Sequence, residues 1–234
     1  MTPLAGRVAL VTGGTGALGQ AVSLRLLADG ATVAIPYIAE RERDWLVTRV
    51  PPGDRDRLHT EAVDATDVEA MAAFAARTVA TLGRLDILVT AVGGFVGGPL
   101  LETDAGTWRR MLDLNLTSAF VAARAALPHM VAAGWGRVVF VASRAVVPPA
   151  GGFVAYTVAK AGVVALAQAL AVETRGSGVT VNAVLPSTMD TEANRAAMPD
   201  ADRGGWVPVE AVADAIAMLA RPESAHITGT LLAI

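Results

Sequence analysis

The feature that most constrains the fold is a regular alternation of short apolar runs with longer segments of helical period. The runs of strand length, rich in Val, Ile and Leu, are residues 8–12, 32–37, 58–63, 85–91, 137–142, 179–185 and 230–234. The segments predicted to be helices are 18–29, 40–50, 67–82, 107–133, 154–175 and 209–219. Because the apolar runs are continuous, we expect both faces of each strand to be covered. Repeated strand–helix units predict an α/β fold, a single doubly wound parallel sheet with helices on both faces.

Length and composition predict one compact domain over residues 1–234. Hydrophobic residues make up 53% of the chain and charged residues 18%, which argues against disorder. One stretch, 186–208, is rich in Pro, Asp, Asn and Gly and breaks the alternation. We interpret it as an excursion over the carboxyl edge of the sheet, where it would act as a lid on a bound ligand.

Several classes of partner are not expected. A net charge of −3 provides no basic field for nucleic acid. The chain has no cysteine, so no disulfide or thiolate metal site can form, and we predict no metal. The first residues lack the apolar core of a signal peptide, and the apolar stretch 161–172 is short for a membrane span. We therefore expect a cytoplasmic protein without a membrane partner.

A glycine-rich loop follows the first strand. Gly14, Gly16 and Gly19 satisfy G-x-G-x-x-G between a strand and a helix. Glycine lets the backbone approach a pyrophosphate, which then meets the free N–H groups at the helix N-terminus. The context therefore favours a dinucleotide site over a glycine-rich turn that binds nothing.

Two further segments could contact a dinucleotide. Asp64, after the third strand, could accept a hydrogen bond from the adenine amino group, although helix capping is an alternative that suits Asp67 better. Gly93, in the segment 90–94 after the fourth strand, would leave backbone open to a ribose. The alternative for that segment is a plain turn.

Lys160 is the chain's only lysine and stands four residues after Tyr156, one of two tyrosines. At that spacing on a helix the two side chains share a face. A neighbouring ammonium favours the phenolate, so we expect Lys160 to lower the pKa of Tyr156 and Tyr156 to act as an acid or base. The alternative is an ordinary surface pair.

Ser143 and Asn115 complete a polar set. Ser143 ends the fifth strand, where its hydroxyl could hold a substrate oxygen; alone, such a serine is more often a cap or turn residue. Asn115 lies inside a predicted helix, where asparagine is unfavourable. It could fix a water that relays protons to Lys160, or it could be a satisfied core amide.

Together these residues resemble the short-chain dehydrogenases/reductases over essentially the whole chain. The matches are the glycine loop, Asp64, Asn115-Leu116, Ser143, Tyr156-x-x-x-Lys160, Pro186 and Ile227-Thr228-Gly229. The resemblance implies a Rossmann-type fold, catalytic roles for Asn115, Ser143, Tyr156 and Lys160, and a homotetramer or dimer paired through the helices at 107–133 and 154–175. Departures are Ala17 and Ser187, which replace common glycines, and the segment 90–93, which lacks the usual asparagines.

The same resemblance implies a set of cofactor contacts. They are Gly13, Thr15, Gly16, Ala17, Leu18, Gly19, Tyr37, Asp64, Ala65, Ala91, Gly93, Tyr156, Lys160, Pro186, Thr188 and Met189. NAD-selective sites usually carry an acidic residue where this chain has Tyr37. Arg41 or Arg43 could reach a 2′-phosphate, although Glu40 and Glu42 interleave them. The sequence therefore favours NADP over NAD.

We expect an NAD(P)-dependent oxidoreductase of the carbonyl reductase or alcohol dehydrogenase type, with Tyr156 as general acid/base. Its substrate would be a small carbonyl or alcohol compound, apolar in character, bound against Phe95, Phe153, Met189 and Trp206. The alternatives are a redox-inactive dinucleotide-binding protein, a non-redox enzyme and a pterin reductase. The last rests on a local resemblance of 186–208 to dihydropteridine reductases, which lack the serine that Ser143 supplies here.

Overall fold

Seven parallel strands form the centre of the protein. The computed structural model describes residues 2–234. In chain order the strands are β1 (Val8–Thr12), β2 (Thr32–Tyr37), β3 (Leu58–Ala62), β4 (Ile87–Thr90), β5 (Gly136–Val141), β6 (Val179–Leu185), β7 (Met189–Asp190), β8 (Val207–Pro208) and β9 (Leu231–Ala233). The main sheet has the order β3-β2-β1-β4-β5-β6-β9, and β7 pairs with β8 separately. The predicted doubly wound α/β fold is confirmed.

Helices cover both faces of this sheet. They are α1 (Ala17–Ala28), α2 (Glu40–Arg49), α3 (Val68–Leu82), α4 (Ala105–Leu112), α5 (Ser118–Ala133), α6 (Val154–Glu173), α7 (Glu192–Ala197) and α8 (Val209–Ala220). One core joins the sheet to α3, α5 and α6, and the other joins it to α1, α2 and α8. Successive strand residues alternate between the cores, as Leu10 and Val11 do. Two-sided burial explains why the strand sequences are apolar without interruption.

The long helix predicted at 107–133 contains a wider turn. Residues Asp113–Thr117 form a π-helical turn between α4 and α5, and Asn115 is its buried residue. In a regular α-helix the Met111 carbonyl would accept the N–H of Asn115. Here the Asn115 side chain donates to that carbonyl at 3.0 Å. Such turns are frequent at functional sites, and this one turns an amide towards the sheet edge.

The chain changes direction across the sheet between β1 and β4. From β1 it runs outwards through β2 and β3, and it then returns to pair β4 with the other side of β1. Loops leaving the carboxyl ends of β1 and β4 therefore diverge. In open α/β sheets ligands bind in the crevice at this point.

The segment 186–208 is more ordered than the sequence predicts. It contains α7 and the β7–β8 pair, in which Met189 lies opposite Val207. Arg195 donates two hydrogen bonds to Asp190, at 2.6 and 2.7 Å, and Asn194 donates to the Met189 carbonyl at 2.8 Å. The segment lies at the sheet edge as expected, while its action as a lid stays a prediction.

Two helical stretches, Ala105–Ala133 and Val154–Glu173, are long and apolar enough to cross a membrane by length and composition alone. The second is longer than the apolar stretch 161–172 considered above. In the structure both pack on the sheet, and α6 buries Ala159, Val163 and Ala167 there. The apolar residues of these two helical stretches are therefore explained in part by their packing in the hydrophobic core.

Candidate active site

A cavity of about 740 Å³ opens at the carboxyl edge of the sheet. It brings together most of the predicted site residues, namely Gly16, Ala17, Leu18, Gly19, Ala91, Gly93, Phe95, Asn115, Ser143, Phe153, Tyr156, Lys160, Pro186, Thr188 and Met189. The four predicted catalytic side chains therefore face the same space as the first turn of α1.

Backbone atoms at the start of α1 can hold an anion. Gly16 precedes the helix and supplies no side-chain cap, so the first N–H groups, at Ala17, Leu18 and Gly19, are free for a ligand. A Cβ at Gly19 would overlap the Gly13 carbonyl oxygen, which means that only glycine allows this turn. The cradle fits a dinucleotide pyrophosphate. Gly13 itself does not line the cavity; its φ of 69° shapes the loop.

Tyr156 lies on the first turns of α6, and Ser143 follows β5. Burial raises the pKa of Tyr156, and hydrogen bonding with the Ser143 side chain lowers it by a smaller amount. Ser143 also accepts the backbone N–H of Ala145 at 3.2 Å. Tyr156 is therefore a neutral phenol at neutral pH, with a hydroxyl partner at its oxygen.

Lys160 is buried one helical turn from Tyr156, as its spacing predicts, but its role in the electrostatics differs. Its ammonium donates to the Val141 carbonyl at 2.8 Å, and complete burial lowers its own pKa to about 8. The expectation that Lys160 lowers the pKa of Tyr156 is wrong for this structure. Desolvation of the phenol outweighs the other influences on Tyr156, and the causes of its shift do not include the ammonium.

Asn115 is tied to backbone on two sides. Its amide nitrogen donates to the carbonyls of Gly94 and Met111, both at 3.0 Å, and its oxygen accepts the Gly94 N–H at 3.3 Å. A Cβ at Gly93 would lie 2.9 Å from the Asn115 oxygen and 3.4 Å from the Lys160 nitrogen. The Asn115 amide is a satisfied core amide that also lies near Lys160, and the water relay stays a prediction.

Aromatic rings surround the Tyr156 phenol. The Phe95 and Tyr156 centroids are 5.0 Å apart in an edge-on arrangement, and Phe153 lies 5.5 Å from Phe95 and 6.2 Å from Tyr156. Met189 also lines this part of the cavity, whereas Trp206 does not. Trp206 instead stacks with Arg203, 5.7 Å from its ring. Three of the four predicted substrate residues are thus together.

The predicted contacts for the adenosine end lie outside the cavity. Thr15 donates from its hydroxyl to Glu42 at 3.1 Å, and Tyr37 lies beneath the Arg43 guanidinium at 5.3 Å. Asp64 is exposed and closes a turn with Thr66, while Asp67 caps α3 as expected. Ala65 is buried in the core. Because Asp67 and not Asp64 caps α3, the Asp64 carboxylate is not used as a helix cap. The contact of Asp64 with adenine stays a prediction.

Comparison with known proteins adds independent support. The family model described as short chain dehydrogenase matches residues 7–202. The chain belongs to the short-chain dehydrogenase family. It is 36% identical to cis-4-hydroxycyclohexanecarboxylate dehydrogenase of Sinomonas cyclohexanicum, covering 97% of this chain and 94% of that protein. It is 33% identical to 2,3-dihydroxy-2,3-dihydro-p-cumate dehydrogenase of Pseudomonas putida, covering 99% and 94%.

The fold agrees with that of a solved structure. The crystal structure of levodione reductase superposes with a TM-score of 0.91 at 24% identity, covering 99% of this chain and 96% of that one. As a member of the short-chain dehydrogenase family the protein is an oxidoreductase that uses a nicotinamide cofactor for hydride transfer. Its Asn115, Ser143, Tyr156 and Lys160 all line the cavity.

The lining side chains that sequence reasoning missed include Arg144, Thr191, Asn194 and Met198. The last three belong to the segment 186–208, which was predicted to cover the site without assignment of individual contacts. Arg144 could have been found, because a charged residue directly after Ser143 stands at the carboxyl edge where ligands bind.

The depressed pKa of Lys160 predicts a pH effect on stability. Its folded pKa is about 8 and an unfolded lysine titrates near 10.4, so between these values the unfolded state binds more protons. Folding stability from this group therefore rises as the pH rises through that window. The free energy of unfolding of the wild type minus that of Lys160→Met should be about 2 kcal/mol larger at pH 10 than at pH 7.5. Urea titrations at both pH values measure this, and equal pH dependence of the two proteins would refute it.

Proposed function

We propose that this short-chain dehydrogenase interconverts a secondary alcohol and its ketone, with Tyr156 as general acid/base. The observation that carries the proposal is the meeting of Tyr156, Ser143 and Lys160 in one cavity with the open N-terminus of α1. One end of that space suits the cofactor pyrophosphate. The other end presents a phenol and a hydroxyl that can act on a single substrate oxygen.

The side chains divide the proton chemistry between them. The hydride chemistry would be supplied by the nicotinamide of a cofactor held at the backbone N–H groups of Ala17, Leu18 and Gly19. In reduction, Tyr156 donates its phenolic proton to the substrate oxygen while the Ser143 hydroxyl donates a hydrogen bond to it. Burial suits this direction, because the raised pKa of Tyr156 keeps the proton on the phenol. In oxidation Tyr156 must first lose its own proton and then receive that of the alcohol, a direction that its raised pKa disfavours.

The substrate is proposed to be an alcohol on a small ring. The two relatives named above act, by their names, on a hydroxyl of a cyclohexane ring and on a dihydrodiol of p-cumate. Phe95 and Phe153 flank the phenol of Tyr156 and offer flat apolar surface to such a ring. The cavity volume accommodates a ring beside the nicotinamide.

Removal of the phenolic oxygen tests the assignment of Tyr156. The variant Tyr156→Phe keeps the ring that packs on Phe95 but has no proton to transfer. We expect kcat for cyclohexanol oxidation to fall about a hundredfold or more. The Kd for NADH, measured by fluorescence, should stay unchanged as the control for a folded site. Wild-type turnover in the variant would remove Tyr156 from the mechanism.

NAD is proposed as the preferred cofactor, although the absence of an acid at Tyr37 favours NADP. The Thr15 hydroxyl on the glycine loop holds the Glu42 carboxylate at 3.1 Å. A negative charge at this loop repels a 2′-phosphate and can accept ribose hydroxyls. Arg43 pairs with Asp44 at 3.0 Å and lies over Tyr37, so it is already engaged.

Replacing Glu42 tests this preference. The wild-type Kd should be at least about tenfold lower for NADH than for NADPH, and Glu42→Gln should narrow that ratio about tenfold. Glu40→Gln, an exposed residue two positions away in the first turn of α2, is the matched control and should leave the ratio unchanged. A wild-type preference for NADPH, or equal ratios in both variants, would show that Glu42 does not select the cofactor.

A homo-oligomer formed through α5 and α6 is also proposed. The outward face of α6 is apolar, with Val158, Ala161, Ala165, Ala169 and Val172 exposed. On α5 the exposed apolar side chains include Phe120 and Val131. Contiguous apolar surface of this kind is typical of protein–protein contacts.

A charge placed on that face should separate the subunits. Ala165→Glu would bury a carboxylate at the proposed contact, so sedimentation should detect a smaller species than the wild type. Ala73→Glu, an exposed alanine on α3, is the control and should sediment as the wild type does. A wild type that already sediments as a monomer of 24.0 kDa would rule the contact out.

A further inference from the structure

Arg144 is a cation held at the active-site cavity without a protein counter-ion. Its backbone is fixed, because its N–H donates to the Pro186 carbonyl at 3.0 Å and its carbonyl accepts the Val147 N–H at 3.2 Å. Its side chain is exposed and lines the cavity. Across residues 2–234, no salt bridge or side-chain hydrogen bond engages its guanidinium.

The cavity carries positive charge only. Among its lining residues in the described part of the chain there is no Asp or Glu, and the two cationic ones are Arg144 and Lys160. Lys160 is held by the Val141 carbonyl and belongs to the catalytic set. The polar side chains of the segment 186–208 that line the cavity already have partners within that segment. Asn194 donates to the Met189 carbonyl, and Thr191 caps α7. Arg144 is therefore the charged group left to recognise a ligand.

We propose that Arg144 binds a carboxylate of the substrate, which makes the substrate a hydroxy or keto carboxylate with an apolar body. This inference rests on the proposed function and specifies its substrate class. Consecutive Cα atoms are about 3.8 Å apart, so the Arg144 side chain starts beside the Ser143 hydroxyl that holds the reacting oxygen. An arginine fork matches a carboxylate with two parallel hydrogen bonds. Phe95 and Phe153 provide the apolar surface between the two ends.

A matched pair of compounds isolates the charge. 4-Hydroxycyclohexanecarboxylate and its neutral carboxamide have nearly the same shape, so a difference in kcat/KM reports recognition of the carboxylate. We expect the wild type to favour the carboxylate about ten- to a hundredfold, mostly through KM. Arg144→Gln should abolish the preference for the carboxylate over the carboxamide, while Arg144→Lys should retain part of it. Arg175→Gln, an exposed arginine outside the cavity, is the control and should behave as the wild type.

A binding measurement keeps this inference separate from the proposed function. Calorimetry gives the affinity of cyclohexanecarboxylate, which cannot react, for the protein in the presence of NADH. Arg144→Gln should weaken that affinity at least about tenfold relative to Arg175→Gln, and added salt should weaken it in the wild type and in Arg175→Gln but much less in Arg144→Gln. Equal affinities in the two variants would overturn the role of Arg144 even if ring alcohols are oxidised. Arg144-dependent binding without any turnover would support the anchor and refute the proposed reaction.

Discussion

Three backbone segments meet at the carboxyl edge of the sheet with no room for a side chain between them. A Cβ at Gly13 would lie 2.6 Å from the carbonyl carbon of Ala91, and one at Gly19 would overlap the Gly13 carbonyl oxygen. These approaches join the ends of β1 and β4 to the first turn of α1. The position of the free N–H groups, and hence of any bound pyrophosphate, follows from this contact. Every other part of the site is placed relative to it.

Two of the polar groups in the cavity, Lys160 and Asn115, are anchored by main-chain atoms. Lys160 is held by the carbonyl at the end of β5, and Asn115 by the loop after β4. Each strand end therefore fixes one side chain that arrives from a distant helix. Burial in the same region raises the pKa of Tyr156 and lowers the pKa of Lys160. A low-dielectric site with fixed donors suits proton transfer to a substrate oxygen.

Periodicity predicts the sheet and its two helical layers, and spacing places Tyr156 and Lys160 together on one helix, because each of these depends on local pattern. The π-helical turn at Asn115 was not predictable, because the sequence pattern of α4 and α5 is that of one continuous helix. The pKa of Tyr156 was predicted in the wrong direction because spacing shows a neighbouring charge but not its burial. The contact of Thr15 with Glu42 spans 27 residues and depends on how α2 returns to the glycine loop. Contacts between residues so far apart in the sequence can be identified only once the path of the backbone is known.

The single lysine of the chain, Lys160, limits where amine-reactive reagents can attach to a side chain. All surface cations of the side chains are arginines, while the one ε-amine lies inside the cavity and has a pKa of about 8. Reagents that acylate primary amines therefore have two kinds of target in this chain, the α-amino group and Lys160. Glutaraldehyde immobilisation or N-hydroxysuccinimide labelling would therefore leave the exposed side chains unmodified. Any ε-amine labelling of the native protein would report directly on opening of the catalytic cavity.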